Sequence, residues 1–235
     1  MSPGFPPPGA FQPSKANVAA TNAVVVDRLL GAGVVLFGKT NVPLYLADWQ
    51  SFNAIYGTTS NPWDPSRAPG GSSGGSAAAL AAGLTALEAG SDIGSSIRNP
   101  AHFCGVFGHK PTWGIVPRTG QSLPGQIAPV DIDVVGPLAR SADDLTLALS
   151  IMAGPEPAEA AGWQLRLRAP RQKRLRDYRV AVLLDAPESE VDAQVQERLL
   201  ALAEISWDRV RRPDGQRGWT RPTMRSRVAS SGRRP

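Results

Sequence analysis

The sequence predicts an α/β fold, a mixed and mainly parallel sheet with helices on both faces, and three observations carry that prediction. Short apolar runs that read as strands alternate with longer segments of helical period. The run Val34–Phe37 is continuously apolar rather than alternating, as in a strand covered on both faces. Two loops rich in glycine and serine, Pro69–Ser76 and Gly90–Arg98, flank an alanine-rich stretch with the character of a buried helix.

Taken in order, residues 1–16 are rich in proline and glycine and are expected to be flexible. From Asn17 to Ala32, Val18, Val25, Leu29 and Leu30 recur at helical spacing, with Asp27 and Arg28 placed outward and Gly31 and Gly33 ending the helix. Val34–Phe37 follows as a buried strand, and Gly38–Pro43 turns the chain away. Residues 48–71 read as a long ordered loop punctuated by Asn61-Pro62-Trp63-Asp64-Pro65. The alanine-rich helix spans about Ser76 to Gly83, Leu84–Ala89 is a short strand, and Cys104–Gly108 is another, after a short helical turn. Ser141 caps a helix that opens with Asp143 and Asp144, whose charges favour the positive helix end, and runs to Gly154-Pro155. Arg179–Asp185 is a further strand, and Val191–Glu204 an amphipathic helix carrying Val195, Leu199, Leu200 and Leu202. After Ile205 neither period survives, so 205–235 reads as a disordered tail. The domain reading is therefore a flexible 1–16, one partial domain over 17–204, and the tail.

Composition narrows the function. The single cysteine, Cys104, excludes an intramolecular disulfide and supplies no metal cluster, and two histidines, His102 and His109, are too few for a histidine zinc site. Cys104 reads as a small core residue, the histidines as buried or capping groups, and Trp63 and Trp113 as packing anchors. No apolar run approaches the roughly 20 residues that span a bilayer, and the N-terminus lacks the pattern of a signal peptide, so a cytoplasmic protein without membrane contact is expected. The net charge of +5 is concentrated. Residues 207–235 hold nine arginines against two aspartates, which leaves the other 206 residues at −2. The body is thus near neutral and does not read as a nucleic-acid binder; an arginine-rich nucleic-acid tail is the alternative to a shifted reading frame for 205–235.

The two loops concentrate bare backbone and serine hydroxyls, which a serine nucleophile and an anion pocket both need. The first is no P-loop, because it ends Gly-Gly-Ser-Ala without the lysine. A dinucleotide fingerprint would need its glycines straight after a strand, and a proline-rich loop stands there instead. Loop chemistry alone leaves catalysis, anion binding and structural turns open.

The order of blocks goes further. Pro-Gly-Gly-Ser-Ser-Gly-Gly-Ser at 69–76, Gly-Ser-Asp-Ile-Gly-Ser-Ser-Ile-Arg at 90–98 and Cys-Gly-Val-Phe-Gly-His-Lys-Pro-Thr at 104–112 together resemble the amidase signature family. Phe37–Asn41, Asn61–Asp64 and Gly136–Leu145 extend the likeness, which covers roughly 17–204. The resemblance implies an amidase-type α/β fold and hydrolysis of a small-molecule carboxylic amide through a serine acyl-enzyme, with no metal or organic cofactor. It implies Ser96 as nucleophile and Ser72, in a cis peptide, as the bridging serine of a Ser–cis-Ser–Lys triad. Backbone N–H groups of Ile93, Gly94, Ser95 and Ser96 would form the oxyanion hole, and Gly71, Ser73, Gly74, Asp92 and Arg98 would support the loops. Ser95 stands where the family more usually has glycine.

The triad lysine is expected in a Lys-Asp segment upstream of the first helix. Lys15, Lys39, Lys110 and Lys173 do not lie in that context; Lys39 and Lys110 match structural turns of the family. The resemblance therefore implies an N- and C-terminally truncated member, impaired for lack of the lysine strand. Two other readings stand beside it: a non-catalytic remnant, and an amidotransferase-type subunit that hands ammonia to a partner-bound substrate. A homo-oligomer is compatible with all three.

Overall fold

A computed structural model describes residues 19–121, 130–174, 177–178 and 190–209. The chain forms two compact units, 1–166 and 167–235.

In the first unit, helix α1 (Val24–Gly31) is followed by a small antiparallel hairpin, β1 (Phe52–Asn53) with β2 (Gly57–Thr58). Helix α2 (Gly74–Ala81), strand β3 (Leu87–Asp92), helix α3 (Arg98–Cys104), strand β4 (Phe107–Gly108), strand β5 (Val134–Ala139) and helix α4 (Ala142–Met152) complete it. The sheet order is β3-β5-β4, with β5 in the middle and buried along its whole length. Successive side chains of a strand point to opposite faces. Val135 accordingly joins a core with Ala23, Val25, Val116, Ala148 and Met152, while Leu138 joins one with Ala77, Leu80, Ile97, Ala101 and Cys104. Helices α1 and α4 thus cover one face and α2 and α3 the other, as the sequence predicts.

Strand direction differs from the prediction. Among the described residues β3 and β4 both pair antiparallel with β5, Leu87 facing Ala139 and Phe107 facing Ala139 from opposite sides. Burial on both faces removes the alternation of polar and apolar residues whichever way the neighbours run, so the apolar pattern reports cover and not direction. The expected strand Val34–Phe37 is also absent: these residues have no strand pairing, and Val35 and Phe37 are 81% and 71% exposed. The predicted strand at 84–89 lies at 87–92, and Cys104 ends α3 rather than starting a strand.

The helices follow their local signals closely. The Oγ of Ser141 accepts the Asp144 N–H at 3.1 Å, capping α4. Helix α1 is shorter than its periodicity predicts, starting at Val24, and Leu30 is exposed. Arg28 does not face outward. Its Nη1 and Nη2 donate to the carbonyls of Met152 and Pro155 at 2.7 and 2.6 Å, so α1 holds the C-terminal end of α4. Glycine appears where backbones nearly touch: a Cβ on Gly75 would lie 2.5 Å from the Asn41 backbone.

In the second unit, Arg174 and Asp177 form a two-bonded ion pair at 2.8 and 3.0 Å. Helix α5 (Ala193–Arg209) begins where Asp192 Oδ1 accepts the Gln194 N–H. It runs five residues past the predicted end at Glu204, so the aperiodic sequence starts inside a helix rather than after one. The predicted strand at 179–185, the flexible segment at 1–16 and the tail from 210 onward lie outside the described residues. No helix among the described residues is long and apolar enough to cross a membrane.

Ser141→Ala is expected to lower stability by about 1 kcal/mol through loss of the α4 cap, read as a shift in the urea midpoint at constant slope.

Candidate active site

The first glycine loop is shaped by what lies against it. Gly70 has φ +82°, and a Cβ there would sit 2.6 Å from Asn99 Oδ1 and 2.7 Å from Pro100 Cα. Only glycine meets both conditions at low cost. Asn99 Oδ1 accepts the Gly71 N–H at 3.1 Å. The Gly71–Ser72 peptide is cis. Gly71 lies against the chain at 48–50, where a Cβ would come within 2.8 Å of three backbone atoms. From that same segment comes Ser51, 1% exposed, whose Oγ bonds to the carbonyls of Gly70 and Ser72, each at 3.2 Å, and accepts the Gly74 N–H at 3.0 Å. One buried hydroxyl therefore ties both sides of Ser72 to the first turn of α2.

The second loop folds around a carboxylate. Asp92 closes β3 and is wholly buried. Its Oδ1 accepts the Ser95 N–H at 2.9 Å and Arg98 Nη2 at 2.9 Å; its Oδ2 accepts the N–H groups of Ile97 and Arg98 and the Arg98 Nε at 3.0–3.2 Å. Burial pulls the carboxyl pKa upward, but the bonds from the Arg98 side chain and from the backbone of Ile97, Arg98 and Ser95 outweigh it and hold it below the usual carboxylate range. Within this knot Ser95 takes φ +84°, in the left-handed region.

A single backbone bond joins the loops. The Ser73 N–H donates to the Ser96 carbonyl at 3.0 Å, which sets the peptide following Ser72 directly against Ser96. Ser72 and Ser96 are both buried, at 2% and 5% exposure. Ser73 is packed on Gly90, where a Cβ would lie 2.5 Å from its Oγ. Around the pair, the N–H groups of Ile93, Gly94 and Ser96 have no acceptor among the described residues, and the space beside Gly94 is open. The Ser95 N–H is already committed to Asp92. Of the four backbone donors that the resemblance implies for an oxyanion hole, the Ser95 N–H is the one bonded within the protein among the described residues.

Several residues of the site are illegible in the sequence. Ser51, Asn99 and Trp49, whose Nε1 donates to the Gly94 carbonyl at 2.8 Å, carry no local motif. Thr40 and Ser76 share a 2.8 Å hydroxyl bond that fastens the Gly38–Asn41 turn to α2. Their only signal is polarity beside a glycine loop. Cys104 is buried as expected, its thiol pushed up to about 11 by burial. His102 and His109 are instead exposed, and no group of His, Cys, Asp or Glu among the described residues is arranged to hold a metal. Trp63 and Trp113 are anchored through indole N–H bonds to Cys104 and Val130 rather than by burial.

The two serine loops are packed on a sheet with helices on both faces, which defines an α/β protein. The Amidase family model matches residues 4–206, and the chain belongs to that family. It is 40% identical over 168 residues to a glutamyl-tRNA(Gln) amidotransferase subunit from Sulfurisphaera tokodaii, covering 72% of this chain and 35% of that protein. Among solved structures, the corresponding glutamyl-tRNA(Gln) amidotransferase subunit from Thermotoga maritima superposes with a TM-score of 0.59 at 36% identity, over 65% of this chain and 33% of that one. A bacterial aryl acylamidase of the amidase signature family does so at 0.59 and 28% identity, over 70% and 35%. The chain spans about a third of the length of the relatives it matches.

Asp92→Asn is expected to cost about 2–3 kcal/mol at pH 7, since it weakens several bonds to a buried charge. Because the folded pKa is depressed, the Asp92 contribution is complete above the unfolded value of about 4 and is lost as pH falls through the lower folded value. The gap between wild type and variant in urea midpoint should therefore be wide at pH 7 and narrow on acidification.

Proposed function

We propose that this chain carries the acyl-transfer centre of an amidase, with Ser96 as nucleophile and Ser72 as proton relay. The observation that carries the reading is the Ser73–Ser96 backbone bond, which brings the two loops together with both serines buried. In this scheme Ser96 Oγ attacks the amide carbonyl as its proton passes to Ser72 Oγ, and Ser72 gives up its own proton to a base. Negative charge developing on the carbonyl oxygen is met by the uncommitted N–H groups of Ile93, Gly94 and Ser96, each such donor being worth roughly 10²–10³ in rate. The amine departs with a proton, and water then releases the acid from Ser96. Gly71, Ser73, Gly74, Asp92 and Arg98 hold the loops and take no part in the chemistry.

A relay needs a terminus. None of the four lysines of this sequence stands in a Lys-Asp segment, so a polypeptide of these 235 residues is proposed to be a slow amidase or a non-catalytic amide binder. Among the described residues, Lys39 is the lysine with a marked shift. Its side chain reaches the surface, yet burial of part of its length lowers its pKa to about 8. The amidotransferase reading draws on the likeness to the glutamyl-tRNA(Gln) amidotransferase proteins; there the nitrogen released would pass to a second substrate held by a partner. A small-molecule amide as substrate is common to both.

The test is hydrolysis of a simple aryl amide by the 235-residue chain, by its Ser96→Ala variant, and by a version extended at its N-terminus with the Lys-Asp strand of a relative. The short chain is expected to run roughly 10⁴–10⁶ slower than the extended one, and Ser96→Ala to remove a comparable factor from the extended one. Equal rates for the two lengths would overturn the missing-base argument and make Lys39→Met the next variant to assay. A rate of the extended chain indifferent to Ser96→Ala would overturn the nucleophile.

A further inference from the structure

The Gly94–Ser95 peptide is gripped at both ends. Its carbonyl accepts the Trp49 indole N–H at 2.8 Å, and its N–H donates to Asp92 Oδ1 at 2.9 Å. The two partners come from distant parts of the chain, Trp49 from the long loop before the first glycine segment and Asp92 from the end of β3. Between them Ser95 is held at φ +84°, a conformation that glycine adopts freely and a serine does not. Ser95 directly precedes Ser96. Relaxation of Ser95 toward negative φ would therefore move Ser96 relative to Ser72, and would shift the neighbouring N–H groups with it.

Trp49 is built for this hold rather than for packing. Its side chain is 60% exposed, so the ring contributes little to either core, and its one polar atom is spent on the Gly94 carbonyl. The chain at 48–50 that carries it lies directly over Gly71, so the position of the indole is set by the first glycine loop while its hydrogen bond acts on the second.

We propose that Trp49 is a positioning residue for the reaction at Ser96: its indole N–H, acting with Asp92, latches the Gly94–Ser95 peptide and keeps Ser95 left-handed. The inference rests on the reading of Ser96 as nucleophile for its catalytic consequence, but the latch itself is a property of the loop and can be measured without catalysis.

Trp49→Phe keeps the ring and removes the donor; Ser95→Gly removes the conformational penalty that the latch opposes. Both single variants and the double variant of the 235-residue chain are compared in two measurements, with Trp63→Phe as a control for loss of an exposed indole. The first is backbone amide hydrogen exchange at residue 95 by NMR. Trp49→Phe is expected to reduce protection about three- to tenfold, Trp63→Phe to leave it unchanged, and the loss due to Trp49→Phe to shrink to twofold or less in the Ser95→Gly background. The second is hydrolysis of 4-nitrophenyl acetate, counted as the part removed by Ser96→Ala. There kcat should fall about three- to tenfold in Trp49→Phe with KM little changed, and Ser95→Gly should recover most of the loss. Unaltered protection at residue 95 in Trp49→Phe overturns the latch, as does an equal effect with serine or glycine at 95. If no ester hydrolysis depends on Ser96, the catalytic consequence of the latch falls, and the exchange result alone still upholds or overturns the latch.

Discussion

The buried carboxylate of Asp92 is the constraint on which the second serine loop depends. A charge with no solvent contact must be met by donors, and Asp92 recruits them from Ser95, Ile97 and both backbone and side chain of Arg98. These bonds turn the chain from the end of β3 into the start of α3 within a few residues, and they leave Ser96 between two fixed neighbours. Arg98 lies half in solvent, so its charge is compensated cheaply, whereas the carboxylate it meets has no solvent contact. The loop conformation is in this sense the solution to an electrostatic demand made by one side chain.

The first loop answers a different demand, that of space. Gly70, Gly71 and Gly75, and Gly90 of the second loop against Ser73, each lie where a Cβ would press within 2.9 Å of another atom, most often backbone. Packing this close brings α2 onto β3 and onto the Gly38–Asn41 turn, and it brings the Ser73 N–H to the Ser96 carbonyl. Buried backbone groups at such approaches still need partners, and Ser51 and Asn99 supply them from outside the glycine segment. The two loops therefore meet through small residues, while polar side chains from a third and a fourth segment complete them.

The places where sequence reasoning fails share a cause. Alternation of strands with helices marks an α/β fold, but it says nothing of strand direction, and the described pairings are antiparallel. Continuous apolar character at Val34–Phe37 marks a segment that is unpaired and exposed, because an apolar run becomes a strand only where a neighbour is present to bond it. Arg28 reads as a solvated charge on a helix face, yet it is drawn onto the carbonyls ending α4, which periodicity cannot see. The N–H of Ser95, which the family resemblance implies as an oxyanion donor, is bonded to a carboxylate three residues earlier, a contact no motif displays.

What the sequence by itself determined is local or combinatorial: the alanine-rich helix between the loops, the Ser141 cap, and a block order particular enough to mark the family. Those features depend on residues near one another along the chain, where glycine freedom, capping and helical period act directly. Only the tertiary structure decided that the two loops meet through Ser73 and Ser96, which backbone donors are bonded, and that Ser51, Asn99 and Trp49 brace the loops. Each of these turns on contacts between segments tens of residues apart, such as Ser51 with Ser72 and Trp49 with Gly94. A hydroxyl or indole in a loop looks the same in sequence whether it faces water or closes a buried bond; the difference lies in what the fold sets beside it.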